Sequence, residues 1–300
     1  MRLSKFAPFS WVVLGWNLIV ILWGAFVRAT GSGAGCGRHW PLCNGEIIPQ
    51  APQIAVTIEF THRVLSAGAI LLVGIMFVWG FRVSPRSHPV RKVLIAAGIL
   101  ILVESLLGAG LVLFELVADN SSVIRAIVVA LHLANTFLLV ASLALTAYWA
   151  SGGAPVDIVS NQRPAMILGA GLLGMLLIGM SGAVTALGDT LFPAGSLVEG
   201  IAQDLDSSAH FLIQLRVYHP LIALAIAIYS LQVVRTLYSK NQAFARRMLI
   251  ALLSVGGFQI LVGTINLLLL APIPMQLIHL FTAESVWITY VLTSAAILAH

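Results

Sequence analysis

Four histidines, His62, His132, His219 and His279, each fall in an apolar stretch long enough to cross a membrane. A titratable or metal-binding side chain is costly inside a bilayer, so each of them points to function. Two histidines on facing helices can hold a heme iron from both sides. They occur as one pair in each half of the chain, which predicts two heme sites. A single buried histidine reads equally well as a hydrogen bond between helices; four at matching positions and similar depth do not. His88 falls in a loop and His300 at the terminus, while His39 and His210 fall near the surface, with His210 within reach of a heme edge.

The residues just before two of these histidines differ in a way that bears on chemistry. The first half reads Glu59-Phe60-Thr61-His62 and the second Arg216-Val217-Tyr218-His219. Residues three apart on a helix share a face, so each half places a different charge beside its histidine. A carboxylate there can take a proton from water or substrate. A guanidinium suits a heme propionate. Chemistry is therefore expected in the first half, at Glu59, and electron transfer in the second. Glu59 also stands four residues before Arg63, so an ordinary structural ion pair accounts for it as well.

Composition says what must position these groups. Apolar residues make up 59% of the 300, charged residues only 9%, and mean hydropathy is +1.00. Soluble domains carry about a quarter charged residues, so this is an all-α integral membrane protein. Unbroken apolar runs, rather than alternating ones, exclude a barrel. Eight spans of the length needed to cross hydrocarbon are expected: Ser10–Val27, Ile58–Phe81, Val93–Phe114, Val123–Trp149, Met166–Leu187, Ala209–Leu237, Leu249–Leu270 and Leu277–Leu298. The first span lacks a convincing cleavage site and reads as an uncleaved helix.

Basic residues gather on one side: Arg2 and Lys5, then Arg82, Arg86, Arg91 and Lys92, then Arg163, then Arg235, Lys240, Arg246 and Arg247. That bias places both termini in the cytoplasm and the histidines near the outer face. The net charge of +5 follows from this topology and gives no sign of nucleic-acid binding.

The chain also repeats itself. Glu104-Ser105-Leu106-Leu107-Gly108 resembles Gln259-Ile260-Leu261-Val262-Gly263, and Gly24-Ala25 resembles Gly182-Ala183. Two parallel-repeat four-helix bundles are expected. Residues 1–150 form the first, a turn-rich linker spans 151–164, and 165–300 form the second. Small residues also let membrane helices approach closely, which accounts for many glycines without a repeat.

Cys36 and Cys43 lie in the first external loop. Facing an oxidising compartment, two nearby cysteines favour a disulfide. Closing so short a ring restricts the unfolded chain by about 2.5 kcal/mol on loop entropy. A structural staple and a redox-active pair both remain open. The glycines around them do not form a dinucleotide motif.

The stretch Gly31-Ser32-Gly33-x-Gly35-Cys36-Gly37-x-x-Trp40-Pro41-Leu42-Cys43-x-Gly45, followed by Glu59-x-x-His62-Arg63, resembles the heme A synthase family. The resemblance runs across all eight spans and is looser in the second half. It implies oxidation of a ring methyl of heme O to a formyl group through successive hydroxylations, with water as the oxygen source, giving heme A for terminal oxidases. It implies that His62 and His132 bind the iron of substrate heme O, and that His219 and His279 bind a heme B cofactor. It assigns Glu59 as the catalytic carboxylate and Cys36–Cys43 as a disulfide. Arg63 and Arg216 become candidates for propionate contacts.

Heme O, membrane lipid, a heme O synthase and terminal oxidase assembly factors are the partners it implies, with a homo-oligomer open and a bacterial plasma membrane as the location. Some members carry a second cysteine pair between spans 5 and 6; residues 188–208 here carry none. Two other classes fit the histidines: a diheme electron-transfer protein of cytochrome b type, and a heme carrier that leaves the porphyrin unchanged.

Overall fold

In a computed structural model, residues 3–50, 52–238 and 243–299 are described. Arg2 and Lys240, two of the orienting basic residues, and His300 lie outside them. The described chain is all helical. Its elements are α1 (Phe6–Ala29), α2 (Ile54–Val83), α3 (Val90–Leu113), α4 (Val123–Ala150), α5 (Gln162–Leu191), α6 (Leu197–Leu205), α7 (Phe211–Gln214), α8 (Tyr218–Leu237), α9 (Ala243–Leu268) and α10 (Ile273–Leu298). Short 3-10 turns at Ser32–Ala34 and Leu215–Val217 complete it.

Eight of these segments, with α7 and α8 counted as one, are long and apolar enough to cross a membrane. Several extend a turn or so beyond the apolar runs; α2 begins at Ile54 and α9 at Ala243. Backbone hydrogen bonding continues where the side chains have already become polar, because only the hydrocarbon core demands apolar ones.

The ends are capped by chemistry visible in the sequence. Ser122 accepts a hydrogen bond from the Arg125 amide at the start of α4, the usual role of a serine in that place. At the end of α2 the Arg91 guanidinium donates to the carbonyls of Phe81 and Ser84, which have no helical partner. Pro220 sits in the first turn of α8, where its missing amide hydrogen costs nothing. Span 6 therefore starts irregularly, as α7 and a 3-10 turn, before the regular helix.

Packing follows chain order. α1 packs on α2 and α4, α2 on α3, and α3 on α4; α5 packs on α8, α8 on α9, α9 on α10, and α10 back on α5. The halves meet where α4 lies against α5 and α10, and α1 against α5 and α10. α4 and α10 are accordingly the most enclosed spans, 50% and 61% buried, against 17–28% for the others. At their contact Phe137 stacks on Trp287 with centroids 5.2 Å apart, and the Trp287 indole donates to the Phe137 carbonyl. The α2–α4 and α8–α10 pairs stand across from one another, not as adjacent packing partners. They are the four helices that carry the four histidines.

Candidate heme-binding site

Each histidine lies within about two and a half turns of the start of its span, counting α7 and α8 as one. All four are half-buried and line one cavity of about 1960 Å³. Ligand pockets usually run to about 1,000 Å³, so there is room for two large ligands. Glu59, Arg63 and Arg216 line the same cavity. Every intramembrane residue singled out in the sequence is thus brought to one space.

Three of the imidazoles lie close against a glycine of a neighbouring helix. A Cβ on Gly24 of α1 would stand 3.0 Å from the His62 ring, and one on Gly182 of α5 would stand 3.0 Å from the His219 ring. Only glycine admits a ring so close. Gly263 of α9 serves His279 in the same way.

In the second half the rings of His219 and His279 stand perpendicular, with centroids 6.3 Å apart. An imidazole–metal bond is about 2 Å and the ring nitrogen lies about 1 Å from its centroid, so two rings clamping one metal come about 6 Å apart. Ser181 Oγ lies 3.0 Å from His219 Nδ1, and Gln259 Nε2 lies 3.2 Å from His279 Nδ1. Such contacts fix the orientation of a ligating ring.

In the first half, His62 Nδ1 is buried without a hydrogen-bond partner, and His132 Nδ1 has the Glu104 carboxylate 3.4 Å away. Among the described residues no three His, Cys, Asp or Glu side chains converge on a bare metal ion. Paired imidazoles with apolar walls instead suit an iron whose equatorial ligands come with it, as in a porphyrin.

Around His62 the loop is anchored tightly. Glu59 is 3% exposed; its Oε2 accepts from the Cys36 amide at 2.8 Å and its Oε1 accepts from Arg63. Arg63 also donates to the carbonyls of His39 and Leu42. Cys36 and Cys43 are joined by a disulfide and are both buried. The expected i,i+4 ion pair and the expected disulfide are both present, and Glu59 links the two.

Arg216 is differently placed from what the sequence suggests. It lies in the 3-10 turn, so it is not one regular helical turn before His219. Its guanidinium pairs with Asp189 at 3.3 Å and Asp204 at 2.8 Å, and donates to Gln203 and the Phe192 carbonyl. Asp204 and Gln203 belong to α6, an amphipathic helix with no buried residues at the cavity mouth. Helix α6 falls in a loop that apolar spans alone leave blank. Its signature is Ser196-Leu197-Val198-Glu199, a capping box: Ser196 accepts from the Glu199 amide and Glu199 reaches back to the Gly195 amide. His210 caps α7 and packs between Phe192 and Phe211. His39 is exposed in the first loop.

Three charged residues were missed as site or seam groups. Glu104 lines the cavity and stands 3.4 Å from His132 Nδ1. Arg28 reaches from α1 to the Ala186 carbonyl, Thr190 and Gln276 in the other half. Glu284 of α10 is 1% exposed, and neither carboxyl oxygen has a hydrogen-bond partner among the described residues. Only Glu104 carried a signal, its place in the internal repeat.

A family model described as cytochrome oxidase assembly protein, COX15-CtaA, matches residues 7–57 and 53–291. The chain belongs to that family. A protein of Alkalihalophilus pseudofirmus named Heme A synthase is 44% identical over 97 residues, 32% of this chain and 33% of its own length. Another Heme A synthase, from Exiguobacterium sp., is 32% identical over 189 residues, 62% of this chain and 60% of its own length. A protein of Thermus thermophilus named Protoheme IX farnesyltransferase is 48% identical over 98% of this chain, but over only 49% of itself. This chain therefore spans about half the length of that relative. COX15-CtaA membership and eight apolar helices make this an integral membrane protein.

Proposed function

We propose that the protein oxidises a ring methyl of heme O to the formyl group of heme A, by successive hydroxylations with water as the oxygen source. The observation that carries this reading is the cavity lined by all four histidines, with Glu59 and Glu104 beside the first two. Relatives named Heme A synthase support it.

We further take the halves, residues 1–150 and 165–300 joined by 151–164, as parallel four-helix repeats. Support comes from the matched packing rings and from the matched glycine–histidine contacts at Gly24–His62 and Gly182–His219. In this reading His62 and His132 hold substrate heme O, and His219 and His279 hold heme B. Both termini face the cytoplasm of a bacterial plasma membrane, and the sites lie near the outer face.

Turning a methyl into a formyl group with water as the oxygen source releases four protons and four electrons; heme B, held by His219 and His279, would pass the electrons one at a time to an external membrane-soluble oxidant. The chain's own residues do the rest. Apolar walls limit water at the first site to what polar groups hold. Glu59 offers a lone pair to a water or to a hydroxylated methyl, and takes the proton released. A carboxylate has about four acceptor positions, so the Cys36 amide and Arg63 hold it in place without exhausting it. Arg63 pins the first loop over the substrate, and Arg216 pins α6 over the cofactor. Either guanidinium lies on the cavity wall where a propionate would meet it.

Heme O is the substrate, lipid the solvent, and terminal oxidase assembly factors and a second copy of the chain are further partners. A heme O synthase is the natural supplier. The name of the Thermus thermophilus relative supports that link, since half of that protein is left over beyond the match.

Co-expression with a heme O synthase, followed by pigment extraction, tests the proposal. A formyl-heme is expected. Unchanged heme O would instead indicate a carrier or a cytochrome b-type protein. Farnesylation of heme B by this chain alone would transfer the Thermus relative's name to it. Replacing His219 or His279 by Ala should abolish the low-spin bis-histidine spectrum of the resting protein; an unchanged signal in both would remove the heme B assignment.

A further inference from the structure

Glu104 and Gln259 occupy matching places in the two halves. Each stands four residues before a glycine that lines the cavity, Gly108 or Gly263. Each accepts a hydrogen bond from a threonine just after a histidine: Thr136 donates to Glu104, and Thr282 donates to Gln259. Each stands against the ring of that histidine: Glu104 Oε1 is 3.4 Å from His132 Nδ1, and Gln259 Nε2 is 3.2 Å from His279 Nδ1 and 3.4 Å from its Nε2. The geometry is shared and the charge is not.

The hydrogen bonds at Glu104 describe a carboxylate. Thr136 donates to Oε1, and Asn135 donates to Oε2 at 2.6 Å. Oε2 accepts from the Asn135 amide, and Oε1 lies between the Thr136 hydroxyl and His132 Nδ1, a place an ionised carboxylate fills by accepting from both. The ring nitrogen facing Oε1 is then the one that carries hydrogen, leaving the other for a metal. An anionic partner on a ligating imidazole makes that ligand a stronger donor. Gln259 is neutral in either orientation of its amide, so His279 receives no such push.

Resting on the two-heme reading above, we infer that Glu104 is a positioning residue that, through His132, makes the first site the more electron-rich of the two. A stronger donor stabilises ferric iron and lowers its reduction potential. The exchange of carboxylate for amide between the halves then sets a downhill direction for electrons, from the substrate side to the cofactor side. Glu59 removes protons; Glu104, acting through a ligand, biases where the electrons go.

Redox titration followed by optical and paramagnetic resonance spectra tests this. Protein with both sites filled is compared with protein whose first site is empty, so that the difference belongs to the first site. Glu104→Gln should raise the first-site potential and leave the second where it was. Gln259→Glu should lower the second-site potential and leave the first. A first-site potential unmoved in Glu104→Gln, or both potentials moving together, overturns the inference. If Glu104→Gln releases the first-site heme, Gln259→Glu decides: a fall at the second site upholds the inference and no change overturns it. The two-heme reading fails separately, by the absence of any histidine-dependent heme spectrum.

Discussion

The two mouths of the cavity are closed by different physics. In the first half, residues 30–53 are held by a disulfide, by the Cys36 amide on Glu59, and by Arg63 on two loop carbonyls. In the second half, α6 is held chiefly by one guanidinium, Arg216, with Asp204 and Gln203 of α6 and Asp189 of α5 around it. The first cover has a covalent link beside its Glu59–Arg63 ion pair, and the second rests on ion pairs and hydrogen bonds alone. The loop with the ion-pair hub, residues 188–208, is also the one without cysteines.

The sharpest way to probe this difference is at Glu59, where the first cover and the proposed chemistry coincide. Glu59→Gln keeps an oxygen for the Cys36 amide and loses the charge. It should retain heme at the second site and make little or no formyl-heme in the co-expression assay. Normal product would leave Glu59 as a loop anchor for Arg63 and nothing more.

Arg216→Gln comes next. It strands two partly buried carboxylates, and removing one partner of such a network costs about 3 kcal/mol, less any relief by solvent. The variant should unfold at lower temperature, and proteolysis should begin within 195–208. Added salt should weaken the wild-type second cover in the same direction and the first less, because the disulfide persists when the Glu59–Arg63 pair is screened.

Joint replacement of Cys36 and Cys43 by Ser should cost about 2.5 kcal/mol on loop entropy, and thiol labelling of the native protein should fail until a reductant is added. Reductant should loosen residues 30–53 with no effect on α6. If salt and reductant acted on both covers alike, the contrast between them would not stand.

The smallest effect is expected at Ser196→Ala. Losing this helix cap costs about 1 kcal/mol. Faster amide hydrogen exchange confined to the first turn of α6 is the measurement.

The bilayer made much of this legible from sequence. Hydrocarbon thickness imposes span length, so all eight spans were readable, and only their polar ends were misplaced. The cost of a polar group in lipid made four histidines conspicuous. Local pairs such as Glu59–Arg63 and Cys36–Cys43 were readable because sequence neighbours are spatial neighbours. What stayed hidden depends on tertiary distance. Arg216 finds Asp204 and Asp189, residues 12 and 27 positions back along the chain, and no local pattern announces them. Glu104 stands out for its repeat, yet its partner His132 lies on the next helix. Glu284 could not be picked out, since burial at the seam depends on how α10 is turned.

Arg28 has a consequence of its own. All three of its hydrogen-bond acceptors, the Ala186 carbonyl, the Thr190 hydroxyl and the Gln276 amide oxygen, belong to the other half. Expressed by itself, the first half would leave this guanidinium without the three acceptors it has here. Residues before the 151–164 linker are thus tied to residues after it by a polar contact that neither stretch makes alone. A chain cut within the 151–164 linker should stay together as two fragments, and mixing separately made halves should restore the whole only where Arg28 is present.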